Sequence, residues 1–118
     1  MAFFMKRIST HVLDIAHGRP AKDVAVRLER REITGDWIAL ASARTDADGR
    51  CGQLLPSEEA LRAGLDRLRV DAASYHHAQK VEGLYPVVEI TFQVHEGESQ
   101  FHIPLLLSPH GYTTYRGS

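Results

Sequence analysis

Val88-Glu89-Ile90-Thr91-Phe92-Gln93-Val94 decides the fold class. Its apolar residues fall at every second position, the period of a strand with one face buried and one in water. A helix would need them three and four apart. The same alternation recurs on either side. Downstream, Glu96-Gly97-Glu98 turns the chain into Phe101 to Leu107, and Ser108-Pro109-His110-Gly111 turns it into Tyr112 to Tyr115. Upstream, Val24, Val26 and Leu28 alternate with Ala25, Arg27 and Glu29, and Gly35-Asp36 leads into a strand from Trp37 to Thr45. Asp46-Ala47-Asp48-Gly49 is a turn suited to positive φ. A short strand over Arg50 to Leu55 follows, closed by Pro56. Leu65, Leu68 and Val70 predict another, and Ser9 to Asp14 the first. Asp71 caps a predicted helix from Ala72 to Lys80 that ends before Gly83. Ser57 to Gly64 reads as a capped helical turn or as a loop. Seven to eight short strands with one short helix make a mainly β protein, an antiparallel β-sandwich, in a single domain over residues 1–118.

Composition narrows the function. The 118 residues are 43% hydrophobic and 25% charged, which is ordinary for a soluble globular domain. A net charge of −1 argues against nonspecific nucleic-acid binding. Cys51 is the only cysteine, so neither an intrachain disulfide nor a cysteine zinc cluster can form. Met1 to Arg7 runs apolar then basic, the reverse of a secretory signal, and no apolar stretch approaches the ~20 residues of a membrane span. The expectations are therefore a cytoplasmic location and no membrane partner.

The strand from Phe101 bears on assembly. Phe101, Ile103, Leu105 and Leu107 share a face and should fill the core. His102, Pro104 and Leu106 then point outward. An apolar outer sheet face is commonly a partner surface, so an oligomer with His102 near a subunit contact is expected.

Candidate chemistry centres on a few polar residues. His102 carries the side chain best matched to proton transfer at neutral pH, but would serve equally as a hydrogen-bonded interface histidine. His11 shares a face with Leu13 and could be a core-edge residue. Arg50, after the Asp-Gly turn, could stabilise an oxyanion or be a solvated turn arginine. Tyr115-Arg116-Gly117-Ser118 ends the sequence on more functional groups than a frayed tail needs, which points to a site there. Ser118 lacks a G-x-S-x-G elbow, so positioning fits it better than nucleophilic attack. His76 and His77 are adjacent on the predicted helix and cannot chelate together. No His-x-His, His-x-x-x-His or His-Glu-x-x-His occurs, so no metal site is expected. Cys51 reads as a packed strand residue.

Ser9-Thr10-His11-Val12-Leu13-Asp14, Thr45-Asp46-Ala47-Asp48-Gly49-Arg50 and the run from His102 to Ser118 together resemble the 5-hydroxyisourate hydrolases, transthyretin-related enzymes of urate catabolism. The resemblance spans about Lys6 to Ser118. The Tyr-Arg-Gly-Ser ending separates the enzyme from transthyretin itself, and His110 stands where the family often has an aromatic. The resemblance implies a transthyretin-like sandwich assembled as a homotetramer, a dimer of dimers with sites at the dimer–dimer interface. It puts His11, Arg50 and His102 on catalytic positions, and Tyr115 and Ser118 on terminal site positions. It implies hydrolysis of 5-hydroxyisourate, a cyclic amide, to 2-oxo-4-hydroxy-4-carboxy-5-ureidoimidazoline, with no cofactor. The alternative is a transthyretin-like carrier of a small ligand.

Overall fold

The computed structural model describes residues 6–118; the reading of Met1 to Met5 lies outside them. Two sheets form the sandwich. The first is built from β1 (Arg7–Asp14), β2 (Arg19–Pro20), β5 (Arg50–Cys51), β8 (Gln100–Ser108) and β9 (Gly111–Thr114), in the order β2-β1-β8-β9 with β5 also on β1. The second runs β4-β3-β6-β7, from β3 (Ala25–Arg31), β4 (Trp37–Arg44), β6 (Gly64–Asp71) and β7 (Val87–Val94). The one helix among the described residues, α1 (Ala72–Ala78), starts where the Asp71 carboxylate accepts the Ser74 N–H. It stops two residues short of the predicted Lys80, which adopts a left-handed φ of 59°.

The alternation expected from sequence is the alternation observed. Val88, Ile90 and Val94 of β7 are buried and Phe92 is half-buried. Phe101, Ile103, Leu105 and Leu107 are all buried. In the second sheet the core-facing positions align as rows: Val26, Val70 and Val88; Leu28, Leu68 and Ile90; then Arg30, Asp66 and Phe92. The third row breaks the apolar rule. Arg30 is 4% exposed and bonds Asp66, 1% exposed, at 3.3 Å. The cost of burying that ion pair is eased by the Ala60 carbonyl and Glu59, which also receive the guanidinium. Asp66 Oδ2 is left without a partner, and burial pushes this carboxyl up against the pull of Arg30.

Two features depart from the sequence reading, and a third settles an alternative it left open in favour of the loop. Arg50–Leu55 forms a strand only at Arg50–Cys51. From Gly52 the loop is held instead by Gln53, whose amide accepts from Ile8 N–H and donates to the Lys6 carbonyl. Residues 57–63 form turns and loop, with no helix. The sandwich is antiparallel except for one pair: β1 runs parallel to β8 over its whole length, from Arg7 opposite Gln100 to Asp14 opposite Leu107. Two strands far apart in sequence can pair in either direction, and the alternation within each is the same for both. No helix among the described residues is long and apolar enough to cross a membrane.

Candidate functional site

The parallel pairing sorts the side chains of β1. Ile8, Thr10, Val12 and Asp14 share the face of Phe101, Ile103, Leu105 and Leu107, and all are buried. Ser9, His11 and Leu13 share the other face with His102, Pro104 and Leu106. His11 is therefore on the outer face, which removes the core-edge reading. Antiparallel pairing with β5 sets Arg50 directly opposite His11.

Arg50 is presented by the turn before it. One Asp46 carboxylate oxygen accepts both the Asp48 and Arg50 backbone N–H groups at 2.9 Å. Gly49 has φ 78°, and a Cβ there would collide with the Val12 carbonyl, so the turn accepts only glycine at this point. The Asp48 carbonyl accepts a hydrogen bond from His11 Nε2 at 2.8 Å. A carbonyl cannot donate, so that nitrogen carries the proton. Cys51, next in the chain, is buried, and burial and Asp46 push its thiol up, away from reactivity.

The end of the chain reaches the site through β8. The β8–β9 ladder runs from Ser108 opposite Gly111 to Leu105 opposite Thr114, and the same register resumes with Gly117 opposite His102. The gap falls at Pro104, which has no N–H to offer the residue facing it, Tyr115. Pro104 is nonetheless buried, despite sharing the outward face of His102. Past the gap, Gly117 N–H donates to the His102 carbonyl at 2.7 Å. Gly117 is needed here for space: a Cβ would lie 2.5 Å from His102 Cδ2.

A cleft of about 540 Å³ results, with Ser9, Arg50, His102, Gly117 and Ser118 among its walls. His102 is half-buried, and its Nδ1 lies 2.8 Å from the hydroxyl of Ser9. Its pKa is lowered from the ordinary value near 6.5, first by burial and then by the charges of Arg50 and His11. The ring is thus held neutral near pH 7, as a proton acceptor requires. Three of the five sequence candidates, His102, Arg50 and Ser118, share the cleft. His11 joins them through Arg50 and its influence on His102. Tyr115 is 54% exposed and is not among the lining residues.

Sequence reasoning placed Arg116 in the terminal cluster but gave it no role of its own; it also lines the cleft. It is fixed by Glu98 at 2.8 Å and lies 4.6 Å over the Phe101 ring. Sequence reasoning missed the pairing of Ser9 with His102. Only the direction and register of β1 against β8 could have revealed that contact. Among the described residues no group of three or more His, Cys, Asp or Glu could hold a metal ion.

The HIUase/Transthyretin family model matches residues 8–117. A mouse 5-hydroxyisourate hydrolase is 42% identical across the full length of both chains. The solved structure of the Klebsiella pneumoniae 5-hydroxyisourate hydrolase matches at TM-score 0.83 and 36% identity, over 97% of this chain and 100% of that one. Sea bream transthyretin in complex with thyroxine matches at TM-score 0.87 and 32% identity, over 93% of each chain.

Proposed function

This chain belongs to the HIUase/transthyretin family, and from that premise we propose that it is a hydrolase opening the six-membered ring of 5-hydroxyisourate in urate catabolism. The product is 2-oxo-4-hydroxy-4-carboxy-5-ureidoimidazoline. The observation that carries the reading is the cleft in which a half-buried, depressed-pKa His102 lies with Arg50 and Ser118.

Hydrolysis of a cyclic amide needs an activated water and a stabilised tetrahedral oxyanion. His102, neutral at pH 7, takes the proton from water, help typically worth about 10²–10⁴-fold. His11, held by the Asp48 carbonyl and opposite Arg50 in the β1–β5 pair, is the partner of His102 in this step. Arg50 faces the ring carbonyls and opposes the developing negative charge; loss of such a donor costs roughly 10²–10³ in rate. Ser118 orients substrate and water at the cleft wall; the substrate-binding role of Tyr115 rests on the family resemblance, since its exposed side chain is not on that wall. No cofactor is called for in these steps.

The same proposal holds that one domain assembles as a homotetramer, a dimer of dimers whose facing sheets carry the clefts, and works in the cytoplasm. Half-buried Leu106, on the same outer face of β8 as His102, supports the assembly.

The fold match alone serves the rival equally, since sea bream transthyretin superposes as well as the hydrolase does. A carrier of a small aromatic ligand would line its channel with apolar and hydroxyl groups. The polar wall formed by Arg50, His102 and Arg116 favours the enzyme. Ultraviolet decay of fresh 5-hydroxyisourate, with and without protein, tests the reading. Acceleration that disappears in His102→Ala is expected; decay at the spontaneous rate with folded wild-type protein overturns it.

A further inference from the structure

His102 uses one ring nitrogen on the protein. Its Nδ1 lies 2.8 Å from the Ser9 hydroxyl, and the contact is built in: Ser9 is the register partner of His102 and is only 8% exposed. The other edge of the ring is bounded by Gly117, whose absent side chain leaves room for Cδ2. The imidazole is therefore held from two elements, β1 and the segment after β9, with one nitrogen committed to a strand and one left over.

Two roles for Ser9 can be separated. A serine nucleophile must be exposed to substrate and hand its proton to a base that later releases it to the leaving group. Ser9 lines the cleft but is only 8% exposed, sits within a regular strand and has its hydroxyl on His102 Nδ1, which suits support better than attack. A neutral imidazole has one N–H and one lone pair, and the partner of one nitrogen decides which is which. For His102 to accept a proton from water, the lone pair must be on Nε2. Nδ1 must then carry the proton and donate it to Ser9 Oγ.

We propose that Ser9 is a positioning residue that fixes His102 in the Nδ1–H tautomer, presenting the Nε2 lone pair to the cleft. The role rests on the ring-opening reading, in which His102 is the base. Arg50 strengthens the need for it. A nearby guanidinium disfavours the doubly protonated ring, so the choice between the two neutral forms is the one that matters near pH 7.

The tautomer can be read without substrate. In NMR of the wild-type protein with isotope-labelled histidine, His102 is identified by its loss in His102→Gln. Above its titration it should show a protonated Nδ1 and a bare Nε2. Ser9→Ala should redistribute the proton between the nitrogens and lower kcat about 10- to 100-fold, within the ceiling of general-base help, with KM little changed. Ser9→Cys keeps the volume but bonds weakly and should fall between. Ser9→Thr keeps the hydroxyl and should restore both tautomer and kcat. A wild-type His102 protonated on Nε2 overturns the proposal, as does a Ser9→Ala variant with unchanged tautomer and kcat. These results are distinct from failure of the ring-opening reading, which would appear as an inactive wild-type protein whatever its tautomer.

Discussion

Gly117→Ala tests how closely the chain end governs the site. An alanine Cβ would lie 2.5 Å from His102 Cδ2, 3.2 Å from Cγ and 3.3 Å from the His102 carbonyl oxygen. Carbon atoms rest at roughly 3.5–4.0 Å, so something must move by about 1 Å. If the 115–118 segment moves, the 2.7 Å bond from Gly117 N–H to His102 is lost, at a net cost of about 1 kcal/mol. If the imidazole moves instead, it leaves its rotamer and stretches its Ser9 contact, at about 0.5–1.5 kcal/mol. Either route costs little stability, a fall in Tm of a few degrees. Catalysis is far more sensitive, because a misplacement of about 1 Å can cost on the order of 10²-fold in rate. Initial-rate assays of 5-hydroxyisourate decay should therefore show kcat/KM down by that order, with near-native thermal unfolding. Gly111→Ala is the control: it lies in the same hairpin, its Cβ would meet nothing nearer than Ser108 Oγ at 3.8 Å, and activity should hold. If Gly117→Ala matches wild type in kcat/KM, the clearance argument and the placement of the chain end in the site both fail.

Two further outcomes follow from the charges. Burial, Arg50 and His11 favour the uncharged form of His102, so kcat/KM should decline on acidification only below the ordinary histidine value of about 6.5. Arg50→Ala removes one cation and should raise the His102 midpoint in an NMR titration; an unchanged or lower midpoint would mean that the Arg50 charge does not reach the ring. In the core, Asp66→Ala leaves Arg30 buried without its carboxylate and should cost about 3–5 kcal/mol in denaturant unfolding. Glu59→Ala, at a partly exposed position, should cost less. Equal losses would mean that burial does not set the value of these pairs.

Much of the fold was legible because burial has a period. The alternation in Val88 to Val94 and Phe101 to Leu107 requires one face inside, whichever strand lies alongside. The outward placement of His102 was legible for the same reason, and the Asp46–Gly49 turn announced itself through its residue types. One local reading failed for a local reason. After Cys51 the ladder gives way to a single backbone bond from Leu54 to Ile8 and to the Gln53 side chain, which accepts from Leu55 N–H, and alternation does not register that substitution. Ser57 to Gly64, open between a helical turn and a loop, forms the loop. Arg30 and Asp66 sit at inward positions where pattern alone would expect apolar side chains; the row they share across β3 and β6, with the Ala60 carbonyl and Glu59, makes burial tolerable.

By itself, then, the sequence determined the strands, the faces and the polar residues available for chemistry, since these depend on spacing within a segment. Its resemblance to the hydrolases supplied the roles. The tertiary structure decided who meets whom. Ser9 and His102 are 93 residues apart and touch because β1 lies parallel to β8 in one register. Gly117 reaches His102 because the β8–β9 register continues unchanged past the gap at Pro104. A one-residue slip in either pairing would send Ser9 to the opposite face or put a side chain where the imidazole lies. Pairing energy is shared between distant segments, so neither segment's own pattern contains it.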